Sequence, residues 1–223
     1  MKTAIQQMIE TGRRMYDKGL IAASEGNLSC RLSEKEILVT GSGVCKGELS
    51  AANLTVINPS GEPVQNGPRP SSELLLHLEV YRQRPEVSAV IHAHPPYVLA
   101  LNLAGLAPDK PYLPESALLL GKVPTVPYAR PSTPQVPRSI HTHIKKTDVL
   151  ILDRHGSLTV GASLKEAYQK LEILEHTAKI IWLARQAGNP RLLDSGELAA
   201  LERMRKSVYG LNYPVLPFKS ETE

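Results

Sequence analysis

The chain has 223 residues, 42% hydrophobic and 22% charged, proportions that suit a folded globular protein and argue against a disordered or fibrous one. Its 26 basic and 22 acidic residues leave a net charge of +4, but the cations are dispersed without aromatic neighbours, so no nucleic-acid partner is expected. No apolar run approaches the roughly 20 residues of a bilayer-spanning helix, and the N-terminus has no signal-peptide pattern. No membrane partner and a cytoplasmic location are therefore expected. Cys30 and Cys45 show neither Cys-x-x-Cys spacing nor disulfide density and read as reduced thiols.

Along the chain, Ile5, Met8, Ile9, Gly12 and Met15 recur at helical spacing and Gly19 stops the pattern, which predicts a helix over 4–18. Residues 27–31, 36–40 and 54–58 are short β-rich runs punctuated by Gly, Ser and Asn, which predicts antiparallel strands joined by tight turns. Leu74, Leu75, Leu78 and Tyr81 predict a helix over 71–82 with Ser71 or Ser72 as its cap. Alternation over 87–94 predicts a strand ended by Pro95-Pro96, followed by a helix over 96–103.

The proline-dense segment 107–137 predicts irregular structure, broken only by a helical turn near 116–120 and a strand around 123–126. The stretch 139–146 looks helical. Strands are predicted at 149–152 and 158–160, then a long helix over 163–183 capped by Ser163 with Glu166 three residues on, and a last helix over 197–209. This order gives an α/β protein, helices covering a central mixed or antiparallel sheet, in one domain spanning 1–223.

His92 and His94 lie two apart on a predicted strand, so both imidazoles project from one face near a strand end. His155 follows another strand directly. Three imidazoles with an open fourth position suit a catalytic metal rather than a structural one. His141 and His143 share the spacing but sit where i and i+2 diverge on a helix, and read as surface histidines. His77 is expected against the packed side of its helix or a polar neighbour. Glu73, at a helix start, serves as acid or base or simply as a helix-start carboxylate; the same N-terminus suits a phosphate.

The segments Gly26-Asn27-Leu28-Ser29, Val39-Thr40-Gly41-Ser42-Gly43, Arg69-Pro70-Ser71-Ser72-Glu73, His92-Ala93-His94 and His155-Gly156 together resemble the class II aldolase/adducin family, most of all its branch acting on L-fuculose 1-phosphate. The resemblance implies a three-layer α/β/α fold with a largely antiparallel mixed sheet and a homotetramer with sites at subunit interfaces. It implies Zn²⁺, with Mn²⁺ or Co²⁺ as substitutes, on His92, His94, His155 and, at rest, Glu73, which then moves aside as proton carrier. It places the substrate phosphate on Asn27, Ser42, Gly43, Ser71 and Ser72, and gives Tyr209 a role in closing over substrate; Tyr209 packed under the last helix is the other reading.

The implied reaction is reversible cleavage of a ketose 1-phosphate, L-fuculose 1-phosphate or a 5-deoxy or methylthio pentulose analogue, to dihydroxyacetone phosphate and a short aldehyde through a metal-stabilised enediolate. A 4-epimerase, a decarboxylase and a dehydratase are the alternatives inside the family. A non-catalytic adducin-like domain lacks the metal histidines. Glutamate after the paired serines favours aldolase over epimerase. Three positions depart from the pattern: Glu115, with Tyr112 near it, replaces an interface tyrosine, Pro131 replaces a phenylalanine of the aldehyde pocket, and Arg154 replaces a histidine.

Overall fold

The computed structural model describes residues 1–106 and 108–218. Ala107, where the irregular segment is expected to begin, and 219–223 at the end of the expected domain lie outside the described residues. Seven strands form one sheet: β1 (Asn27–Arg31), β2 (Ile37–Thr40), β3 (Leu54–Ile57), β4 (Ala89–Ala93), β5 (Thr125–Val126), β6 (Val149–Leu152) and β7 (Gly156–Gly161). Their order is β3-β2-β1-β4-β7-β6-β5, and every neighbouring pair is antiparallel except β5 with β6. The helices are α1 (Lys2–Asp17), α2 (Leu74–Gln83), α3 (Pro96–Leu103), α4 (Pro114–Leu119), α5 (Gln135–Ile140), α6 (Leu164–Ala187) and α7 (Ser195–Ser207).

Strand alternation sorts the core into layers. Leu28, Cys30, Ala89 and Ile91 face Met8 and Met15 of α1 and Tyr168 and Leu171 of α6. Ile37, Val39, Val90, Leu158 and Val160 face the other way, toward Val80 and Tyr81 of α2 and Ile140 of α5. A third cluster sets Val98 and Leu101 of α3 and Leu174 and Ile181 of α6 on Val149 and Ile151 of β6. Each Val, Leu, Ile or Met side chain among these, fully buried, contributes about 1.5–3 kcal/mol of transfer free energy. The result is the three-layer α/β/α fold with a largely antiparallel mixed sheet.

A buried charge cluster ties the layers together. Asp148, just before β6, accepts from Arg84 at the end of α2 (2.5 Å) and from Lys170 of α6 (2.5 Å), and all three are nearly inaccessible.

The helix after the paired serines starts later than expected, at Leu74. Ser71 gives its N–H to the Thr40 carbonyl (3.1 Å), and Pro70 bridges to Gly41, so this stretch is drawn onto the sheet before the helix can begin. The Ser71 hydroxyl then accepts from the Glu73 N–H (3.3 Å), a serine turn and not a helix cap. The proline-dense segment, expected to be irregular here, contains α5. Pro134 precedes α5 and Pro137 lies in its first turn, where a missing N–H breaks no helical bond.

α5 stops at Ile140, so 141–146 are turns and not the expected helix. His141 lies at the surface as expected, its side chain 42% accessible, with Nδ1 2.6 Å from Oε1 of the buried Glu79. Ser163 does cap α6, accepting from the Glu166 N–H (3.2 Å).

Candidate metal centre

His92 is the penultimate residue of β4 and His94 follows the strand's last residue, so the pleat turns both rings to one side. β7 pairs with β4 in a register that sets Ser157 against Ala93, which brings the β6–β7 turn, and His155 with it, beside the end of β4. Two backbone features allow that approach. Arg154 adopts φ +55, held by Asn102 Oδ1 accepting its N–H (2.8 Å), a conformation that is strained by about 1 kcal/mol for a residue with a Cβ. Gly156 has φ +156, and a Cβ there would run into the Ala93 carbonyl, with His94 Cδ2 at 2.8 Å and His92 Cε1 at 3.1 Å.

Glu73 occupies the N-cap position of α2 (φ −101, ψ 16) without capping it. Outside the helical repeat its side chain swings to the histidines. Its Oε2 lies 3.2 Å from His92 Nε2 and its Oε1 2.9 Å from His155 Nε2, while His94 Nε2 lies 3.0 Å from His92 Nε2. One donor atom from each of the four residues falls within 4.8 Å of all the others.

These groups fit a metal ion on three counts. First, the behind-ring contacts aim the right nitrogens. His92 Nδ1 donates to the Ser157 carbonyl (2.9 Å) and His94 Nδ1 faces Glu25 Oε2 (3.4 Å), which leaves both Nε2 lone pairs directed at the centre. Second, opposed lone pairs repel unless a cation lies between them, and the gaps of 2.9–3.2 Å approach the edge of about 3.3 Å that a tetrahedron with bonds near 2.05 Å requires. Third, Glu73 Oε1 is buried with no hydrogen-bond donor despite its closeness to His155.

Electrostatics agree. Burial works to raise the Glu73 carboxyl, but the His155 and His92 imidazoles more than offset it and hold the group well below the usual carboxylate range. Burial first, and His92 second, push the His94 imidazole down to about 4, against the opposing pull of Glu25. An ionised carboxylate beside a neutral His94 imidazole is a cation-ready donor set.

The serine segments lie alongside. Ser42 N–H donates to the Arg69 carbonyl (2.8 Å), which with the Ser71–Thr40 bond laces the 41–43 loop to the 69–72 loop next to Glu73. With those N–H groups spent, Ser42 and Ser71 offer an anion their hydroxyls. Gly43, at φ +72, and Ser72 are exposed. Asn27 is buried, its Nδ2 donating to Glu73 Oε2 (3.0 Å).

Tyr209 stands in the turn after α7, 54% exposed, its N–H on the Met204 carbonyl. No hydrogen bond joins its side chain to the four groups among the described residues. Glu115 is exposed on α4, and Tyr112 lies 3.5 Å from Arg185.

Sequence reasoning missed Lys46. It is 2% exposed, donates to the carbonyls of Ser24 (2.6 Å) and Val44 (2.7 Å), and so clamps the loop bearing Glu25 to the loop bearing Ser42 and Gly43. Burial lowers its ammonium to about 8, with Cys45 and Glu73 pulling the other way. Nothing in the local pattern marks it. Ser29 and Tyr81 were also missed, although Ser29 lies two residues from Asn27 and Tyr81 lies eight from Glu73, spacings that keep each pair on one face.

Residues 6–182 match the sequence profile of the Class II Aldolase and Adducin N-terminal domain. The 3-oxo-tetronate 4-phosphate decarboxylase of Pectobacterium atrosepticum is 36% identical over 79% of this chain and 83% of its own length. The L-fuculose phosphate aldolase of Methanococcus vannielii is 32% identical over 79% of this chain and 94% of its own. A solved L-fuculose 1-phosphate aldolase superposes with a TM-score of 0.84 at 26% identity, covering 92% of this chain and 97% of that one. With the profile spanning most of its length, the chain belongs to the class II aldolase and adducin family.

Proposed function

We propose that the chain is a divalent-metal-dependent lyase that breaks the bond between the carbons α and β to the carbonyl of a phosphorylated sugar or sugar acid. The observation that carries this reading is the convergence of Glu73, His92, His94 and His155 beside two laced serine loops. A bound divalent ion, Zn²⁺ in the first instance with Mn²⁺ or Co²⁺ as substitutes, supplies a Lewis acid for negative charge developing on the substrate's oxygens.

The favoured substrate is 3-oxo-tetronate 4-phosphate, supported by the decarboxylase relative. Its C1–C2 bond breaks, C1 leaves as CO₂, the electron pair stays on C2 in conjugation with the C3 carbonyl, and C2 takes up a proton to give dihydroxyacetone phosphate. In this reading the proton comes from solvent water, the Glu73 carboxylate taking it up and passing it to C2, while Ser42, Gly43, Ser71 and Ser72 hold the phosphate with Asn27 beside them.

Aldol cleavage of a ketose 1-phosphate is the second reading, supported by the fuculose phosphate aldolase relative. It yields the same three-carbon phosphate with an aldehyde as the other product. The departures at Glu115 and Pro131 fall on that aldehyde half, which decarboxylation does not use. We also assign Tyr209 to closing over substrate. Glu25, Ser42, Gly43 and Ser72 are exposed, leaving the site open on one chain, and a cytoplasmic homotetramer with sites between subunits would cover it.

The test is to offer the Zn²⁺- or Co²⁺-loaded protein both substrate classes and follow dihydroxyacetone phosphate, CO₂ and aldehyde. Equimolar CO₂ supports decarboxylation, and equimolar aldehyde supports the second reading. Absence of dihydroxyacetone phosphate from every substrate removes both. Light scattering gives the assembly state.

A further inference from the structure

A line of polar side chains runs from Glu73 into the protein, away from the histidines. His77 and Tyr81, four residues apart, share one face of α2, with Glu73 at the N-cap before them, while Asn27 and Ser29 lie two apart on the face of β1 that α2 covers. Asn27 Nδ2 is 3.0 Å from Glu73 Oε2, His77 Nε2 is 2.5 Å from Asn27 Oδ1, Ser29 Oγ is 2.6 Å from His77 Nδ1, and Tyr81 Oη is 2.8 Å from Ser29 Oγ. Asn27, Ser29, His77 and Tyr81 are all at most 6% exposed, so solvent does not substitute for any of these bonds.

The direction of every bond is forced in turn. An ionised carboxylate only accepts, so Asn27 must present Nδ2–H to Glu73 and turn Oδ1 to His77. That oxygen only accepts, so His77 carries its proton on Nε2. Burial, with His92 as a lesser cause, drives the ring's pKa down to about 3, so it is neutral and Nδ1 is bare. The Ser29 hydroxyl therefore donates to Nδ1, and its lone pair takes the Tyr81 O–H. Donors all point one way, and such chains strengthen each bond by polarising its neighbour.

We propose that Tyr81, Ser29, His77 and Asn27 form a positioning relay that fixes which end of the Asn27 amide faces Glu73 and thereby holds the Glu73 carboxylate in the orientation that metal binding and proton delivery require. The relay rests on the role given to Glu73 above. Reversing the amide would set Asn27 Oδ1 against Glu73 Oε2, acceptor to acceptor, and Nδ2 against the His77 Nε2–H, donor to donor; both bonds would be lost together. His77 is the latch against that reversal, although among the described residues its side chain makes no hydrogen bond to the four-group centre or to the serine loops.

The first arm of the test uses metal-free protein and nitrogen–proton NMR of the imidazole rings between pH 5 and 8. The expected result is a neutral His77 in the Nε2–H form whose ring signals move when Glu73→Ala removes the final acceptor. An Nδ1–H form, a protonated ring in this range, or a signal indifferent to Glu73→Ala overturns the relay. The second arm measures Co²⁺ affinity by visible absorption together with melting temperature. His77→Leu is expected to weaken Co²⁺ binding about 10- to 100-fold, as loss of an orienting partner does, and His77→Gln, which keeps a donor toward Asn27, to restore most of it.

A lower melting temperature with Co²⁺ affinity unchanged would reduce the network to a structural one and overturn the relay. Should the wild-type chain take up no Co²⁺, the metal reading falls, while the NMR arm still decides the relay.

Discussion

Asn27 and His92 stand directly opposite each other on β1 and β4, and both reach the same oxygen of Glu73: Asn27 Nδ2 at 3.0 Å and His92 Nε2 at 3.2 Å from Oε2. Residues opposed in an antiparallel pair share a face, so one register fixes both approaches at once. The carboxylate is thus held between a neutral amide donor and a group that belongs to the histidine set.

Because three imidazoles remain without it, Glu73→Gln is expected to keep about one metal ion per chain by elemental analysis. Turnover should fall about 10²- to 10⁴-fold, the range for losing a proton-transfer group. Unchanged turnover would leave Glu73 a purely structural residue.

Removing the ion should abolish turnover. Dialysis against a chelator is expected to leave inactive, folded protein that Co²⁺ or Zn²⁺ reactivates, and His155→Ala is expected to lose the ion even when metal is supplied. Full activity after verified metal removal would refute the Lewis-acid reading.

Gly156→Ala tests the close approach of the β6–β7 turn to the end of β4. The new methyl meets the Ala93 carbonyl and both histidine rings in a backbone conformation rarely adopted by residues with a side chain. A loss of about 1–3 kcal/mol in unfolding free energy is expected, with weaker Co²⁺ binding. Wild-type stability and affinity would show that the turn has room to spare.

Asp148 pairs with two buried cations, Arg84 and Lys170. Asp148→Ala takes the buried partner from both, leaving Arg84 on Glu86 and Lys170 on Glu166, and is expected to destabilise the fold by about 3 kcal/mol in urea titration. A change below about 1 kcal/mol would mean that water or a rearranged side chain takes over the role.

His77 gives a pH signature. Its folded value near 3 lies below the ordinary 6.5, so between these the unfolded chain binds more protons than the folded one. The neutral ring's advantage is complete above about pH 6.5 and is lost progressively as pH falls toward 3. Unfolding free energy of the metal-free protein should therefore drop by a few kcal/mol on acidification, and by visibly less in His77→Gln. Parallel profiles for the two proteins would contradict this.

Local spacing by itself determined a good deal. The β-rich run at 27–31 and the apolar run at 149–152 predicted β1 and β6 to the residue, and Pro96–Leu103 emerged as α3, because such runs and the residues that bound them are properties of a few consecutive positions. The Ser163 cap was legible for the same reason. So was the shared side of His92 and His94, which follows from the pleat alone. The late start of α2 was not, since the bonds that delay it come from Thr40 and Gly41, far away in sequence.

Tertiary structure decided everything that depends on strand register. The meeting of His155 with His92 follows from β7 pairing beside β4 and from the tight turn at Arg154 and Gly156. The inward turn of Asn27 toward Glu73, the burial of His77 and the Lys46 clamp arise from contacts between segments distant in the chain. Sequence names the donor types and their local faces. Which donors share one point is set by pairing and packing across the sheet, where the hydrogen-bond ladder and the buried apolar faces fix positions that no local pattern encodes.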